Sequence, residues 1–246
     1  SSATSFALND TVVQWTMKIL GNEKSTYIIT GYDSDIIKNL KLDAQLVVNK
    51  DWSSTQSAYS LSLAPIFNKE QEKPIKEAII CYGDILFRQK SLDEIRNRDE
   101  DCVIAWDSNI QNQSLIKLKK SPERVFVSNE KLMRAGKIPS LLANGSFVGL
   151  VRLKGEALDF LSNFIKKEKK ILRNLTLADL AEIVHLANIS VGAVDLCGDW
   201  AEVGADLDIV RFVLGTKAET LSRMRKMVTK CSIEDQVSFN FSEWLN

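Results

Sequence analysis

The chain has 246 residues, with 32 basic and 32 acidic side chains and a net charge of zero. That length can bury a large core as one α/β domain, alone or with appendages. The charge balance argues against a general binder of nucleic acid or anionic membrane, and no apolar run approaches the roughly 18 to 20 residues that span a bilayer.

In chain order, Asp10 is placed to cap a helix from about Thr11 to Leu20, with Gly21 as its stop. A strand follows over Thr26–Thr30, leaving through Gly31, then a short helix over 33–40 with Asp33 at its start. Gln45–Val48 reads as a strand ending at Asn49, and Ser57–Leu63 as a helix limited by Pro65. The apolar run Ala78–Cys81 is a strand covered on both faces. A helix from about Ser91 to Arg96 and the strand Cys102–Trp106 complete a series of βαβ units, hence a mostly parallel sheet flanked by helices. Residues 109–153 change character. Short β pieces such as Arg124–Val127 and Phe147–Val151, with Asn144–Gly145 between them, predict hairpins inserted on top of the sheet as a small β lobe. Helices return over 155–168 and 176–187, then a strand over Val191–Leu196 and a helix over Asp206–Val213. Lys217–Lys230 forms a basic amphipathic helix, and Val237–Trp244 a short extended piece.

The strand Ala78–Cys81 breaks at Gly83–Asp84. Ligands of open α/β sheets bind outside the carboxyl ends of the strands, so Asp84 stands where chemistry is expected. A lone acid there suits Mg²⁺, which takes one or two protein carboxylates and bridges to substrate phosphates. The bland alternative is a cap for the next turn. The only histidine, His185, lies in a helical pattern and reads as structural, which excludes mechanisms needing a histidine pair. Cys81, Cys102, Cys197 and Cys231 are far apart, without metal-ligand spacing, and read as free thiols of a reducing cytoplasm. The first residues lack a charged-then-apolar leader pattern.

An ordered set of segments carries a resemblance. Gly31–Tyr32, then Val47–Leu61 with Asn49, Trp52, Thr55 and Ser57, then Tyr82–Arg88, Phe147–Leu150, and Gly198–Val203 occur in one order. This order resembles the sugar-phosphate-type nucleotidyltransferases, most closely the cytidylyltransferases for phosphocholine and aminoethylphosphonate. The resemblance covers roughly residues 10–213, and implies a Rossmann-like, GT-A-like domain over 1–213. Phe212–Leu221 further resembles the junction to a phosphoenolpyruvate-synthase-like kinase module, so residues 214–246 are expected to form a C-terminal helix and linker.

What the resemblance implies is Mg²⁺-dependent transfer of a nucleotidyl group, CMP from CTP, to a small phosphonate or phosphate monoester, with release of pyrophosphate. Such transfer is catalysed mainly by positioning and by offsetting charge. Asp84 becomes the first metal ligand. The second carboxylate comes from the 198–204 segment. Many relatives carry an acid where this chain has Gly204, so Glu202 is the best remaining candidate, with Asp199 behind it. Gly31, Tyr32, Thr55 and Ser57, with Ser53, are placed at the nucleotide, since a helix N-terminus favours anions. Asn49 and Trp52 line the substrate site, with Trp52 able to stack on a base or meet a trimethylammonium group. N-capping and packing are the plain alternatives.

The departure lies at the N-terminus. Relatives open with a central strand and a basic, glycine-rich loop, whereas no glycine precedes Gly21 here. The strand and loop are therefore expected upstream of Ser1. Two other readings stay open: an inactive nucleotide-binding or scaffold domain of the same fold, and a nucleotide-sugar-dependent glycosyltransferase. The second is the weaker, since Ile85 and Leu86 follow Asp84 where Asp-x-Asp would be needed.

Overall fold

The computed structural model describes residues 6–7, 10–21, 25–68, 75–109, 123–204, 208–209 and 212–213. Its elements are β1 (Phe6–Ala7), β2 (Asp10–Thr11), α1 (Val12–Leu20), β3 (Tyr27–Thr30), α2 (Ser34–Asn39), β4 (Gln45–Val48), α3 (Ser57–Ser62), α4 (Pro65–Asn68), β5 (Glu77–Cys81) and β6 (Ile85–Phe87). Then come α5 (Gln89–Arg96), β7 (Cys102–Asp107), β8 (Arg124–Ser128), β9 (Lys131–Gly136), β10 (Gly145–Lys154), α6 (Gly155–Lys167), α7 (Lys169–Leu172), α8 (Leu177–Leu186), β11 (Val191–Asp195) and β12 (Trp200–Glu202).

The six-stranded sheet has the order β5-β10-β7-β11-β9-β8. Strands β5, β7, β11 and β8 run one way, while β10 and β9 run against them. Alternation along the strands feeds two cores. Cys102 and Ile104 of β7, Val151 and Leu153 of β10, and Val191 and Ala193 of β11 face α3, α4, α6 and α8. Val103, Ala105, Val148 and Leu150 face Leu92 and Ile95 of α5, with Ile19 and Leu20 of α1 alongside. The fold is thus α/β, a mixed sheet between helices in which four of the six strands share one direction. Strands β3 and β4 pair in parallel and, among the described residues, only with each other.

Several elements differ from the sequence expectation. The cap of α1 is Thr11, not Asp10: its side chain and that of Gln14 form a reciprocal capping box. Asp10 pairs instead with Lys18. Among the described residues, the inserted lobe reduces to the β8–β9 hairpin at the sheet edge. Strand β10, expected in that lobe, lies between β5 and β7 and is buried along nearly its whole length. Its register slips between Phe147 and Val151. Gly149 sits in that slip at φ 88°, and a side chain there would strike the Tyr82 ring. Arg152 of β10 is buried and donates to the carbonyls of Arg96, Arg98 and Glu100, fixing the link from α5 to β7. Cys81 and Cys102 are free, their thiols pushed by burial to about 12. Cys231, the basic helix over 217–230 and the extended piece over 237–244 lie outside the described residues. Among those described, no helix is long and apolar enough to cross a membrane.

Candidate active site at the carboxyl edge of the sheet

Asp84 lies in the turn between β5 and β6, as the strand break predicts. Its backbone is fixed. The Asp84 carbonyl accepts from Val203 N at 2.7 Å, continuing the antiparallel pairing of β6 with β12. In that register Glu202 faces Ile85, Ala201 faces Leu86 and Trp200 faces Phe87. Opposed residues share a face. Ala201, Val203 and Leu86 accordingly pack with Val12, Ile209 and Phe212. Ile85, Phe87 and Trp200 pack on the α5 side of the sheet, so Glu202, two residues after Trp200, issues from the same face. The sheet edge thus carries Asp84 and Glu202 on adjacent segments.

Asp199 falls away from this pair. Its carboxylate is held by Arg88 Nε at 2.7 Å. Asp199 stands beyond the far end of β6 from Asp84, about 13 Å along the strand at roughly 3.3 Å per residue. Arg88 also donates to the Phe212 carbonyl and lies over that ring. Asp199, expected as a reserve metal ligand, is thus the partner of Arg88, which holds the following helical residues. Gly204, opposite Gly83 if the register is continued, donates its N–H to Asp208. A Cβ built there meets nothing nearer than the Asp208 carboxylate at 3.6 Å, so the position has room for a side chain.

Two acids that sequence reasoning missed belong to this edge. Asp107 closes β7, is 4% exposed, and accepts from Trp200 Nε1 at 2.8 Å and from Asn109 N at 3.0 Å. Glu123 precedes β8 and accepts from the Tyr82 hydroxyl at 2.8 Å. Its other oxygen, Oε1, is buried with no hydrogen-bond partner among the described residues. Burial first, and then the charges of Asp179 and Glu202, hold the Glu123 carboxyl above the usual range, against the Thr176 and Tyr82 hydroxyls that pull it down. Burial likewise pushes the Tyr82 phenol far up, with Glu123 adding to it. Asp107 ends a strand as Asp84 follows one, so the rule that selected Asp84 finds it too. Glu123 carries no local signal.

The segment from Asn49 to Ser60 differs. Asn49 is 1% exposed, and its side chain donates to Thr55 Oγ1 and Ser60 Oγ and accepts from Asp51 N. Thr55 donates in turn to the Asp51 carbonyl. Ser57 Oγ accepts from Leu177 N at 2.8 Å and shares a hydrogen bond with the Tyr82 hydroxyl. Two amides at the start of α3 are occupied as well, Gln56 N by the Arg173 carbonyl and Ala58 N by that of Leu175. Thr55 and Ser57, expected as phosphate donors, and Asn49, expected as a substrate contact, are thus parts of one hydrogen-bonded framework. Outside it stand Tyr32, 63% exposed, and Trp52, 47% exposed, in edge-to-face contact at 5.4 Å, with Ser53 exposed beside them. Gly31 lets them meet: a side chain there would collide with Trp52.

Among the described residues no group of three or more histidine, cysteine or acidic side chains is arranged to hold a metal. Mg²⁺ asks for less, one or two carboxylates with waters and substrate oxygens for the rest. Asp84 and Glu202 are the two carboxylates that these adjacent segments carry, and the charge of Glu202 helps to raise the carboxyl of buried Glu123.

No protein-family model and no curated protein matches this chain. Solved structures do. The inositol-1-phosphate CTP transferase from T. maritima matches with a TM-score of 0.59 at 16% identity, over 92% of this chain and 87% of that one. The chain has the nucleotidyltransferase fold. A Bacillus anthracis protein assigned as a glucose-1-phosphate thymidylyltransferase, in complex with a sucrose, matches with a TM-score of 0.62 at 14% identity, over 89% and 90% of the chains. The CTP:phosphocholine cytidylyltransferase from Streptococcus pneumoniae matches with a TM-score of 0.60 at 13% identity, over 87% and 88%. At such identities the likeness is one of fold.

Proposed function

We propose that this domain is a Mg²⁺-dependent nucleotidyltransferase that moves CMP from CTP to a small phosphonate or phosphate monoester and releases pyrophosphate. The observation that carries the reading is Asp84 in the turn at the carboxyl edge, its carbonyl bonded to the strand that bears Glu202. The fold supports transfer in general, and two of the three similar structures named above are CTP transferases. Asp84 and Glu202 hold the cation, which when bound offsets the charge of the triphosphate and leaving pyrophosphate. Tyr32 and Trp52 form an aromatic shelf for the base or for a cationic head on the acceptor, with Gly31 beneath it and Ser53 at its rim. Asn49, Thr55 and Ser57 keep that shelf rigid. The free thiols suit a reducing cytoplasm.

The reading includes a strand and glycine-rich loop from residues upstream of Ser1, and a kinase-like module after residue 213. Support for the strand is physical. The apolar residues of β3 and β5 are largely half-exposed, unlike those of β7, and Ile29 of β3 packs on the same core as Ala78 and Ile80 of β5 without a hydrogen bond between the two strands. Amide exchange tests it. With the natural upstream residues present, the amides of Ile29 and Ile79 should gain protection; unchanged exchange rejects the inserted strand.

The second reading is a nucleotide-binding domain without turnover. Gly204, where relatives resembling this chain carry an acid, favours it. Pyrophosphate release separates the two: nucleotide binding without release selects the scaffold, and release that vanishes in Asp84→Ala selects the enzyme.

A further inference from the structure

We propose that Asp107 positions Glu202 through the indole of Trp200, and thereby sets the affinity of the edge for a divalent cation. The inference rests on the reading above that Glu202 is a cation ligand. Strand β12 has three residues and, among the described residues, a single hydrogen-bonded neighbour, β6. A two-stranded ribbon of this length has little stability of its own and free play in twist. Trp200 and Glu202 leave β12 on one face, so whatever fixes the indole limits the twist of the strand that carries the carboxylate. The indole N–H is fixed by Asp107, at the end of β7 in the middle of the main sheet.

The chemistry of that contact is specific. Asp107 is buried, and each of its oxygens takes one N–H, from Trp200 and from Asn109. An ionised carboxylate only accepts, so it matches two donors; an amide would turn its own NH₂ against one of them. The bond is charge-assisted and shielded from water, the condition under which such bonds are strongest. Two other side-chain ties on this ribbon, the Trp15 indole N–H to the Phe87 carbonyl and Arg88 to Asp199, act at the end away from Glu202. Asp107 is thus a positioning residue, one bond removed from the ligand's strand, and partners of this kind typically change metal affinity about 10- to 100-fold.

The test is Mn²⁺ binding followed by electron paramagnetic resonance, with thermal unfolding and CTP binding measured on the same samples. Trp200→Phe and Asp107→Asn are each expected to weaken Mn²⁺ binding about tenfold, to leave CTP binding without metal unchanged, and to have their pyrophosphate release restored by excess Mg²⁺. A lower melting temperature with wild-type Mn²⁺ affinity would mean that the pair only packs, and overturns the inference. Asp107→Asn stands in if Trp200→Phe fails to fold. Glu202→Gln separates the layers. If it loses Mn²⁺ while both positioning variants keep it, this inference fails alone. If it binds like wild type, Glu202 is no ligand and both fall.

Discussion

The two ends of the candidate site handle polarity in opposite ways. Around Asn49 every polar side chain is spent on a neighbour: Asn49 on Thr55, Ser60 and the Asp51 amide, Ser57 on Leu177 and Tyr82. Near Glu202, Glu123 is not closed in this way. Glu123 keeps a buried oxygen with no partner among the described residues and is pushed up by burial and by the charges of Asp179 and Glu202. A satisfied network makes a rigid wall, while a site with charge left over is prepared for a counter-charge from outside. The comparison explains why residues of equal promise in the sequence divide into framework and chemistry.

Substitutions at the two ends should therefore fail in different measurements. The largest effect is expected for Asp84→Ala, with pyrophosphate release reduced at least about a hundredfold, the scale of losing one electrostatic stabiliser, and an unchanged melting curve. Asn49→Ala should do the reverse. Opening a buried, fully bonded network costs about 2 to 3 kcal/mol of stability, seen in denaturant unfolding, while the surviving folded fraction keeps its cation affinity. Trp52→Ala should weaken nucleotide binding about tenfold, from a stacking contribution of about 1 to 3 kcal/mol per base, without moving Mn²⁺ binding.

Glu123→Gln sharpens the contrast through pH. The folded-state pKa of Glu123 is raised, so its contribution to stability is full below the ordinary glutamate range and is lost as pH rises through the raised value. The wild type should lose stability across that window and the glutamine variant should not. Glu100 gives the opposite sign. Against burial, Arg98 and Lys131 hold it at about 2, so its contribution is present above its ordinary value of 4.5 and is lost as pH falls from there toward 2. The smallest effect belongs to Asp199→Asn. An exposed ion pair is worth about 0 to 1 kcal/mol, and Mn²⁺ affinity should not change; a large loss would return Asp199 to the metal site.

Much of the frame was legible because it depends on local pattern. The apolar run Ala78–Cys81 and the break at Gly83 placed Asp84 correctly, and alternating helices and strands gave the α/β class. What was not legible had long-range causes. Strands β6 and β12 are three residues each and are defined only by pairing across more than a hundred residues. Strand β10 read as part of a lobe because turn residues surround it, while its place between β5 and β7 is set by partners far away in the chain. Thr55 and Ser57 have the residue types of phosphate donors, and only the fold brings Asn49, Leu177 and Tyr82 to consume their hydrogen bonds. Glu123 becomes unusual through burial and through Glu202, which no spacing in the sequence reveals.

The most direct measurement of the central claim is pyrophosphate release by the protein carrying its natural upstream residues. It is supplied with Mg²⁺, each nucleoside triphosphate in turn, and a panel of phosphonates and phosphate monoesters, beside Asp84→Ala. Release with CTP and one acceptor class, lost in Asp84→Ala, is the predicted result. A folded protein that binds nucleotide and releases no pyrophosphate across the whole panel would contradict it.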